Sequence, residues 1–250
     1  SSSGTSWIAD WIYPLAEDDF TATLSIDGLQ SSTTYDYTIV LEGEERIGPF
    51  TITTAPELGE AQDFDVAFGS CSKYAVQPAF NAINNDEVDL FFFVGDNHYG
   101  NTGDLESLRW NYQWAHSLDY RRQMMPSAGV LETWEPHDYT GNNTDGSDPK
   151  KDTALRVFRE YWPNPAAGSE NHPGTFFTYT YGQVDFFFLD DRFYRGISNS
   201  LLGDGQSEWL LAALSSSKAA FKVLISGSQW TSEGSSDSWA AFPEAKSGLF

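Results

Sequence analysis

The stretch from Phe64 to Tyr99 constrains the fold more than any other part of the chain, because it holds two strand-like runs. In the first run, residues 64–68, apolar residues alternate, and the second run, Leu90 to Val94, is continuously apolar. Such runs are typical of strands in a parallel sheet that is covered on both faces. The residues between them, 77–85, have the apolar spacing of a short helix. We therefore predict a strand–helix–strand unit.

Each of these two runs stops at a polar cluster. The first is followed by Cys71, and the second by Asp96, Asn97, His98 and Tyr99. A right-handed crossover would bring both clusters to the same carboxyl edge of the sheet, where open α/β sheets bind ligands. A thiol, a carboxylate, an imidazole and a phenol at one edge favour a site for a hard or borderline metal ion.

Alternative readings exist for two of these side chains. A lone cysteine is more often a small buried apolar residue than a ligand, but the position of Cys71 just past a strand end favours metal binding. His98 could equally be a loop histidine with a hydrogen-bonded ring. We therefore give His98 less weight than Asp96 or Tyr99.

A third short strand, at Val130 and Leu131, also leads into a polar segment. The segment from Thr133 to Tyr139 contains glutamate, histidine and aspartate, and Asn142 and Asn143 follow it. The arrangement repeats that of the first two strand ends. We expect this segment to reach the same edge.

The remaining sequence predicts two further parts. In residues 1–58, three runs of period two (20–26, 35–41 and 49–54) indicate an all-β module that resembles a fibronectin-like fold and serves packing or spacing. Residues 59–250 form the second domain. Its further predicted elements are helices over 105–126, 152–163 and 201–214, a hairpin of strands 175–181 and 184–189, and a strand over 222–226, after which no closing element is evident.

Composition limits the partners. The formal net charge of -22, from 36 acidic and 14 basic residues, argues against nucleic acid or an anionic membrane surface as a partner. Cys71 is the single cysteine, so no intramolecular disulfide can form. No apolar run approaches the length of a membrane span. We expect a secreted protein, extracellular or periplasmic.

Eight segments, in their order and spacing, carry a family resemblance: TITTAP, FGSCSKY, VDLFFFVGDNHYGN, TWEPHDYTGNN, FFFLDDRFYR, GDGQSEWLLAAL, KVLISGSQW and SWAAFPEAKSGL. The chain resembles the PhoD-type alkaline phosphatases, which are members of the calcineurin-like metallophosphoesterase superfamily. The resemblance implies an α/β fold, with a two-sheet sandwich flanked by helices behind the fibronectin-like module. It also implies that the module is incomplete at its start and the catalytic domain at its end, since a further Ser-Gly-Asp-x-His segment is expected after Leu249.

The same resemblance implies hydrolysis of phosphate mono- or diesters with Fe(III) and Ca(II), or with other divalent metals. By position, Cys71 and Tyr99 resemble iron ligands and Asp96 the bridging carboxylate, with Asp138 as a further metal ligand. His137 resembles the catalytic histidine beside the phosphate. The predicted substrate-binding residues are Asn97, Asn142, Asn143 and Arg192.

One departure from the family keeps a second reading open. Glu135 and Pro136 stand where the family usually has two aspartates before the histidine, and proline has no side-chain ligand to offer. The alternative to an active phosphatase is therefore a catalytically impaired phosphatase-like fold that serves as a structural or surface-interaction protein.

Overall fold

A computed structural model describes residues 6, 8–43, 45–232 and 234–249 of the chain. The strands are β1 Thr34–Val40, β2 Arg46–Thr53, β3 Val66–Gly69, β4 Leu90–Val94, β5 Gly129–Thr133, β6 Phe177–Tyr181, β7 Val184–Phe188 and β8 Phe221–Ile225. The α-helices are α1 Ala79–Asp86, α2 Leu105–Ser117, α3 Asp119–Met124, α4 Pro136–Tyr139, α5 Lys151–Tyr161, α6 Gly203–Ser216 and α7 Pro243–Leu249. The strands form one two-stranded and two three-stranded sheets.

The first three-stranded sheet has the order β3-β4-β5, and all its strands are parallel. Since α1 connects β3 to β4, the predicted strand–helix–strand unit is confirmed. The apolar run of β4 is buried as predicted, with Leu90 to Phe93 at most 1% exposed. The prediction of two covered faces is wrong for β3, because this edge strand leaves Phe68 74% exposed.

The second three-stranded sheet combines a hairpin with a crossover. Strands β6 and β7 are antiparallel and turn at Gly182, which has a φ of 54°. Strand β8 lies parallel to β7 and is reached through α6. Every residue of β7 is buried, so its four apolar side chains can pack on both faces of this sheet.

The two sheets pack face to face through aromatic side chains. Phe92 of the first sheet meets Phe186 and Phe188 of the second edge to face, with ring centroids 5.0 and 5.1 Å apart. Helix residues such as Leu108 and Phe158 cover the other face of the first sheet, while Leu210 of α6 covers that of the second. The predicted α/β sandwich of two sheets flanked by helices is therefore present.

The N-terminal part differs from the three-stranded prediction. Residues 21–30, all of which the structure describes, form no strand, so only β1 and β2 pair. The chain before them is held by side chains of the second domain instead: the carbonyl of Glu17 accepts from Arg109, and Asp19 accepts from Gln113. The fibronectin-like module and its boundary at residue 58 stay predictions, and residues 1–5, 7 and 44 of that module lie outside the described part.

The last described residues form an element that the sequence did not predict. Helix α7 follows a short 3-10 turn that contains Trp239, which is fully buried, and Leu249 packs against the same apolar cluster. Small residues and a single clear apolar position hide the helical period of this segment. No helix of the described chain is both long and apolar enough to span a membrane.

Candidate metal centre at the edge of the first sheet

Two strained turns form the centre of the candidate site. Cys71, past the end of β3, and Asp96, past the end of β4, both have positive φ, at 64° and 55°. This conformation is uncommon for residues other than glycine and marks positions that the surrounding structure must hold. Here the N–H groups of Cys71 and Ser72 donate to the carbonyls of Gly95 and Asp96, at 3.2 and 2.8 Å. The two turns are thereby joined.

Three different donor atoms meet at these turns. The Sγ atom of Cys71 and the Oη atom of Tyr99 lie 3.6 and 3.4 Å from the same Oδ2 atom of Asp96. Burial raises the pKa of the Tyr99 phenol well above its usual value, and a hydrogen bond from the phenol to Cys71 and the charge of Asp96 add to this. A bound cation would oppose that effect. The thiol, carboxylate and phenol therefore fit an Fe(III)-type ion in their chemistry.

His137 lies against this group. Its main-chain N–H donates to Oδ1 of Asp96 at 3.1 Å, and its ring stacks on that of Tyr99 with the centroids 4.2 Å apart. The side-chain amide of Asn101 donates to the carbonyl of Tyr99. The Oδ1 atom of the same Asn101 side chain lies 2.6 Å from Nδ1 of His137. Nδ1 is therefore the protonated nitrogen, and Nε2 is left with its lone pair.

Sequence reasoning missed two residues of the site. Asn101 accepts from both His137 and the N–H of Asn142, so it joins two predicted site segments. Lys73 places its ammonium 5.5 Å from the centroid of the Tyr99 ring. The available signal was spacing, since each lies two residues after a predicted ligand, Tyr99 or Cys71.

Asp138 and Asn97 lie beneath the site, and both are fully buried. The Asp138 carboxylate accepts from the N–H groups of Asp96, Asn97 and Glu135 and from the Asn97 amide, at 2.8 to 3.2 Å. Burial and the charge of Asp96 raise the pKa of Asp138 to about 7 against these hydrogen bonds. The roles of Asp138 as a metal ligand and of Asn97 as a substrate contact stay predictions.

Asn142 and Asn143 are exposed on the loop that follows α4. The loop reaches the site through the hydrogen bond of Asn142 to Asn101 at 3.1 Å, and Asn143 has a φ of 59°. The structure brings this loop to the rim beside His137. Their contact with substrate stays a prediction.

Arg192, at the end of the second sheet, is fully buried and paired with acids. Its guanidinium donates to Glu135 at 2.7 Å and to Asp237 at 2.8 Å. These two carboxylates occupy the guanidinium group. The role of Arg192 in substrate binding stays a prediction.

The two residues that depart from the family pattern have clear structural partners. Glu135 passes between two glycines, and a Cβ atom at Gly95 or Gly227 would lie 2.4 Å from its side chain. Gly95 also has a φ of +91°, which favours glycine. Pro136 is the first residue of α4, where a missing N–H costs nothing. The Glu135 side chain is thus buried and bonded to Arg192 and Ser228.

The donor set at the site is small. No group of three or more histidine, cysteine, aspartate or glutamate side chains in the described residues is arranged to hold a metal ion. The cluster instead combines one cysteine and one aspartate with Tyr99. The roles of Cys71, Asp96 and Tyr99 as metal ligands stay predictions.

Comparisons with known proteins agree with the class of fold. Residues 129–246 match the family of PhoD-like phosphatases. The structure resembles that of PhoD, with a TM-score of 0.75 and 22% identity over 89% of this chain and 54% of that one. It also resembles a purple acid phosphatase, PPD1 from yellow lupin (Lupinus luteus) seeds, with a TM-score of 0.53 and 16% identity over 80% and 37%. No curated protein matches the chain.

The α/β sandwich of this chain is therefore the fold that these phosphatases share. The match of residues 129–246 to the PhoD-like phosphatases supports the predicted resemblance, and the chain spans about half of the length of PhoD.

Proposed function

We propose that the chain is the metal-binding part of a phosphoesterase that hydrolyses phosphate mono- or diesters. The observation that carries the proposal is the convergence of Cys71, Asp96 and Tyr99 on one sheet edge, with His137 stacked beside them. The PhoD-like family match supports the reaction class. The activity is proposed for the whole protein, of which this chain is comparable to a part.

In this proposal Cys71 and Tyr99 would hold Fe(III), and the carboxylate of Asp96 would serve both that ion and a second one, Ca(II) or another divalent metal. Bound metal ions would bind the negative oxygens of a phosphoester and acidify a water molecule. The chain provides a thiol, a carboxylate and a phenol as donors for such an ion. The main-chain hydrogen bonds between the Cys71 and Asp96 turns fix the positions of these donors.

His137 acts on the substrate side. Asn101 holds Nδ1, so Nε2 would be the nitrogen that exchanges a proton with the leaving group or stabilises its charge. Lys73 is the exposed cation beside Tyr99 and would attract an anionic substrate. Asn142 and Asn143 line the rim. Asp138 and Arg192 hold the surrounding loops, because their charged atoms are bonded within the protein.

The proposed substrate is a phosphoester rather than a large polyanion, since a chain with a net charge of -22 would repel nucleic acid. We propose an extracellular or periplasmic location for the same acidic, cysteine-poor chain. Both statements concern the whole protein and rest on its composition and family.

The test compares matched aspartate variants. The protein, reconstituted with ferric iron and calcium, is assayed with an aryl phosphate and a bis-aryl phosphate, alongside Asp96→Asn and Asp86→Asn. Asp86 is exposed at the end of α1 and serves as the control. We expect Asp96→Asn to abolish hydrolysis and Asp86→Asn to retain it. Activity of Asp96→Asn within a few-fold of the parent would refute the proposal.

A second candidate function is a phosphatase-like fold that serves as a structural or surface-interaction protein. The observation that favours it is the small donor set, in which Pro136 supplies no oxygen and Glu135 pairs with Arg192. Metal content separates the two functions. Visible absorption from Fe(III) bound to Tyr99 or Cys71 supports the enzyme, whereas a colourless, metal-free protein supports the structural role.

A further inference from the structure

Asn97, the residue that follows Asp96, has charged side chains as its hydrogen-bond partners. Its N–H and its amide donate to Asp138 at 3.0 and 2.9 Å, and the amide also donates to Glu132. Its carbonyl accepts from Nη2 of Arg121 at 2.6 Å. Asn97 is therefore an anchor whose main-chain donor and acceptor both have charged partners.

Arg121 is an unusual partner for a carbonyl. It lies on α3, is fully buried, and places its guanidinium carbon 4.8 Å from the centroid of the Phe93 ring. Its Nε and Nη1 atoms and Oε2 of Glu132 have no hydrogen-bond partner in the described part of the chain. A buried guanidinium needs both a counter-charge and partners for its N–H groups. The charge of Glu132 acts on Arg121 and meets the first need, and ordered water between the two side chains would meet the second.

Other buried polar atoms in this region share the same property. A ring nitrogen or hydroxyl without a hydrogen-bond partner among the described residues occurs in four residues: His98, Tyr112, His116 and Trp162. Their rings are in contact, with centroids 4.4 Å apart for His98 and Tyr112 and 4.7 Å for His116 and Trp162. The N–H of Gly100 donates to Nδ1 of His98, so Nε2 of that ring is a donor. Donors and acceptors thus occur together, as an internal water cluster requires.

We infer that Arg121 is a positioning residue for the candidate metal centre. With Glu132 as its counter-charge, Arg121 holds the carbonyl of Asn97 and thereby fixes the spacing of Asp96 and Tyr99 on either side of the buried pair Asn97–His98. Arg121 touches neither metal nor substrate. The inference rests on the proposed function for its metal, but the rigidity of the turn can be measured without one.

A matched pair of arginine variants tests the inference. Arg109 is also buried, at 6% exposed, but it pairs with Glu160 at 2.8 Å on the side that holds the N-terminal segment. Arg121→Met and Arg109→Met each remove a buried guanidinium. The probe is Co²⁺ alone, and its binding is measured by the absorption of the bond between Co²⁺ and the Cys71 thiolate. We expect Arg121→Met to weaken Co²⁺ binding by about 10–100-fold, the usual effect of losing a residue behind a metal ligand, and Arg109→Met to leave it unchanged.

Hydrogen exchange of the metal-free proteins gives the second measurement. We expect amides of residues 95–101 to exchange faster in Arg121→Met than in Arg109→Met or the parent. Equal exchange in the two variants would overturn the inference, whether or not Co²⁺ binds. A parent that binds no Co²⁺ would refute the proposed metal centre and leave the exchange comparison to decide the role of Arg121.

A milder pair decides the matter if Arg121→Met does not fold. Arg121→Lys and Arg109→Lys both keep the buried charge. Lysine has one nitrogen in place of the guanidinium fork, so it cannot reach the Asn97 carbonyl and the Glu132 side together. Faster exchange at residues 95–101 in Arg121→Lys alone supports the inference, and equal exchange in both variants overturns it.

Discussion

The carboxyl edges of the two sheets follow similar apolar strands but have opposite environments. Strand β4 leads to Asp96, which is half-buried beside the exposed Cys71. Strand β7 leads to Asp190, Asp191 and Arg192, all 0% exposed. The oxygens of Asp190 accept from the Trp134 indole, the N–H of Thr175 and other main-chain groups. The first edge is thus open to a ligand, and the second is closed by its own hydrogen bonds.

The comparison separates two uses of an acidic residue at a strand end. A carboxylate whose oxygens accept several N–H groups stabilises the turn, as Asp190 does. A carboxylate that faces a thiol and a phenol, as Asp96 does, has oxygens available to a cation. Position at the carboxyl edge is therefore necessary for a site in this fold, and the surroundings of the oxygens decide its use.

The largest effect is expected at the open edge. His137→Ala should lower the turnover number for an aryl phosphate by about 10²–10⁴-fold, because a positioned acid or base contributes that much. His172→Ala, in the exposed loop before Pro173, should leave the rate unchanged. Steady-state kinetics and the melting temperature of each variant are the measurements. Equal rates for both variants would mean that the open edge does not carry the chemistry.

At the closed edge, the expected loss is in stability. Arg192→Met leaves the buried carboxylate of Glu135 without its cation, while Arg195 still pairs with Asp237, so the free energy of unfolding should fall by about 3–5 kcal/mol. Lys73→Met at the open edge should change it by less than about 0.5 kcal/mol. Urea denaturation measures both.

A double variant sharpens this prediction. Arg192→Met combined with Glu135→Gln should be more stable than the sum of the two single changes implies, because the second change removes a charge that the first leaves unpaired. Strict additivity would show that Arg192 is not held by Glu135. Arg192 would then be free to take the substrate-binding role that its position predicts.

The smallest expected effect is a response to acid beneath the first sheet. Burial, together with the charge of Arg121, lowers the pKa of His116 from 6.5 to about 3. A group with a lowered folded pKa gives stability that is present above the unfolded pKa and is lost as the pH falls toward the folded one. His116→Gln should therefore make the fall of unfolding free energy below pH 6.5 shallower, by up to about 1.4 kcal/mol per pH unit. Urea denaturation at several pH values tests this, and an unchanged slope would contradict it.

Local patterns in the sequence predict most of the fold. Continuous apolar runs such as Leu90–Val94 give strands at the expected places, and the amphipathic runs give α2, α5 and α6. The exceptions depend on distant partners. Residues 20–26 alternate like a strand, but neighbouring residues are held by Arg109 and Gln113, which come much later in the chain. Alternation alone cannot show which partner a segment finds.

The candidate site likewise has a part that local sequence predicts and a part that depends on distant partners. Strand-end spacing predicts the meeting of Cys71, Asp96 and Tyr99, because two parallel strands must end at one edge. It does not distinguish a side chain that faces outward from one that faces inward. Asp138 and Arg192 have suitable chemistry, yet both are buried among protein partners. The Asn101 contact to His137 depends on the path of a loop, which has no periodic signal.

The Glu135 side chain has a mechanical consequence for the molecule. It lies against Gly95 and Gly227 and bonds to Ser228 and Arg192, so it joins the ends of strands from both sheets. A force that slides one sheet over the other would act on the contacts of the Glu135 side chain before it acted on the Asp96 turn. Bending of the outer loops, such as the one that carries Lys73, would widen the mouth of the site without breaking this link. The sandwich beneath them acts as a stiff frame.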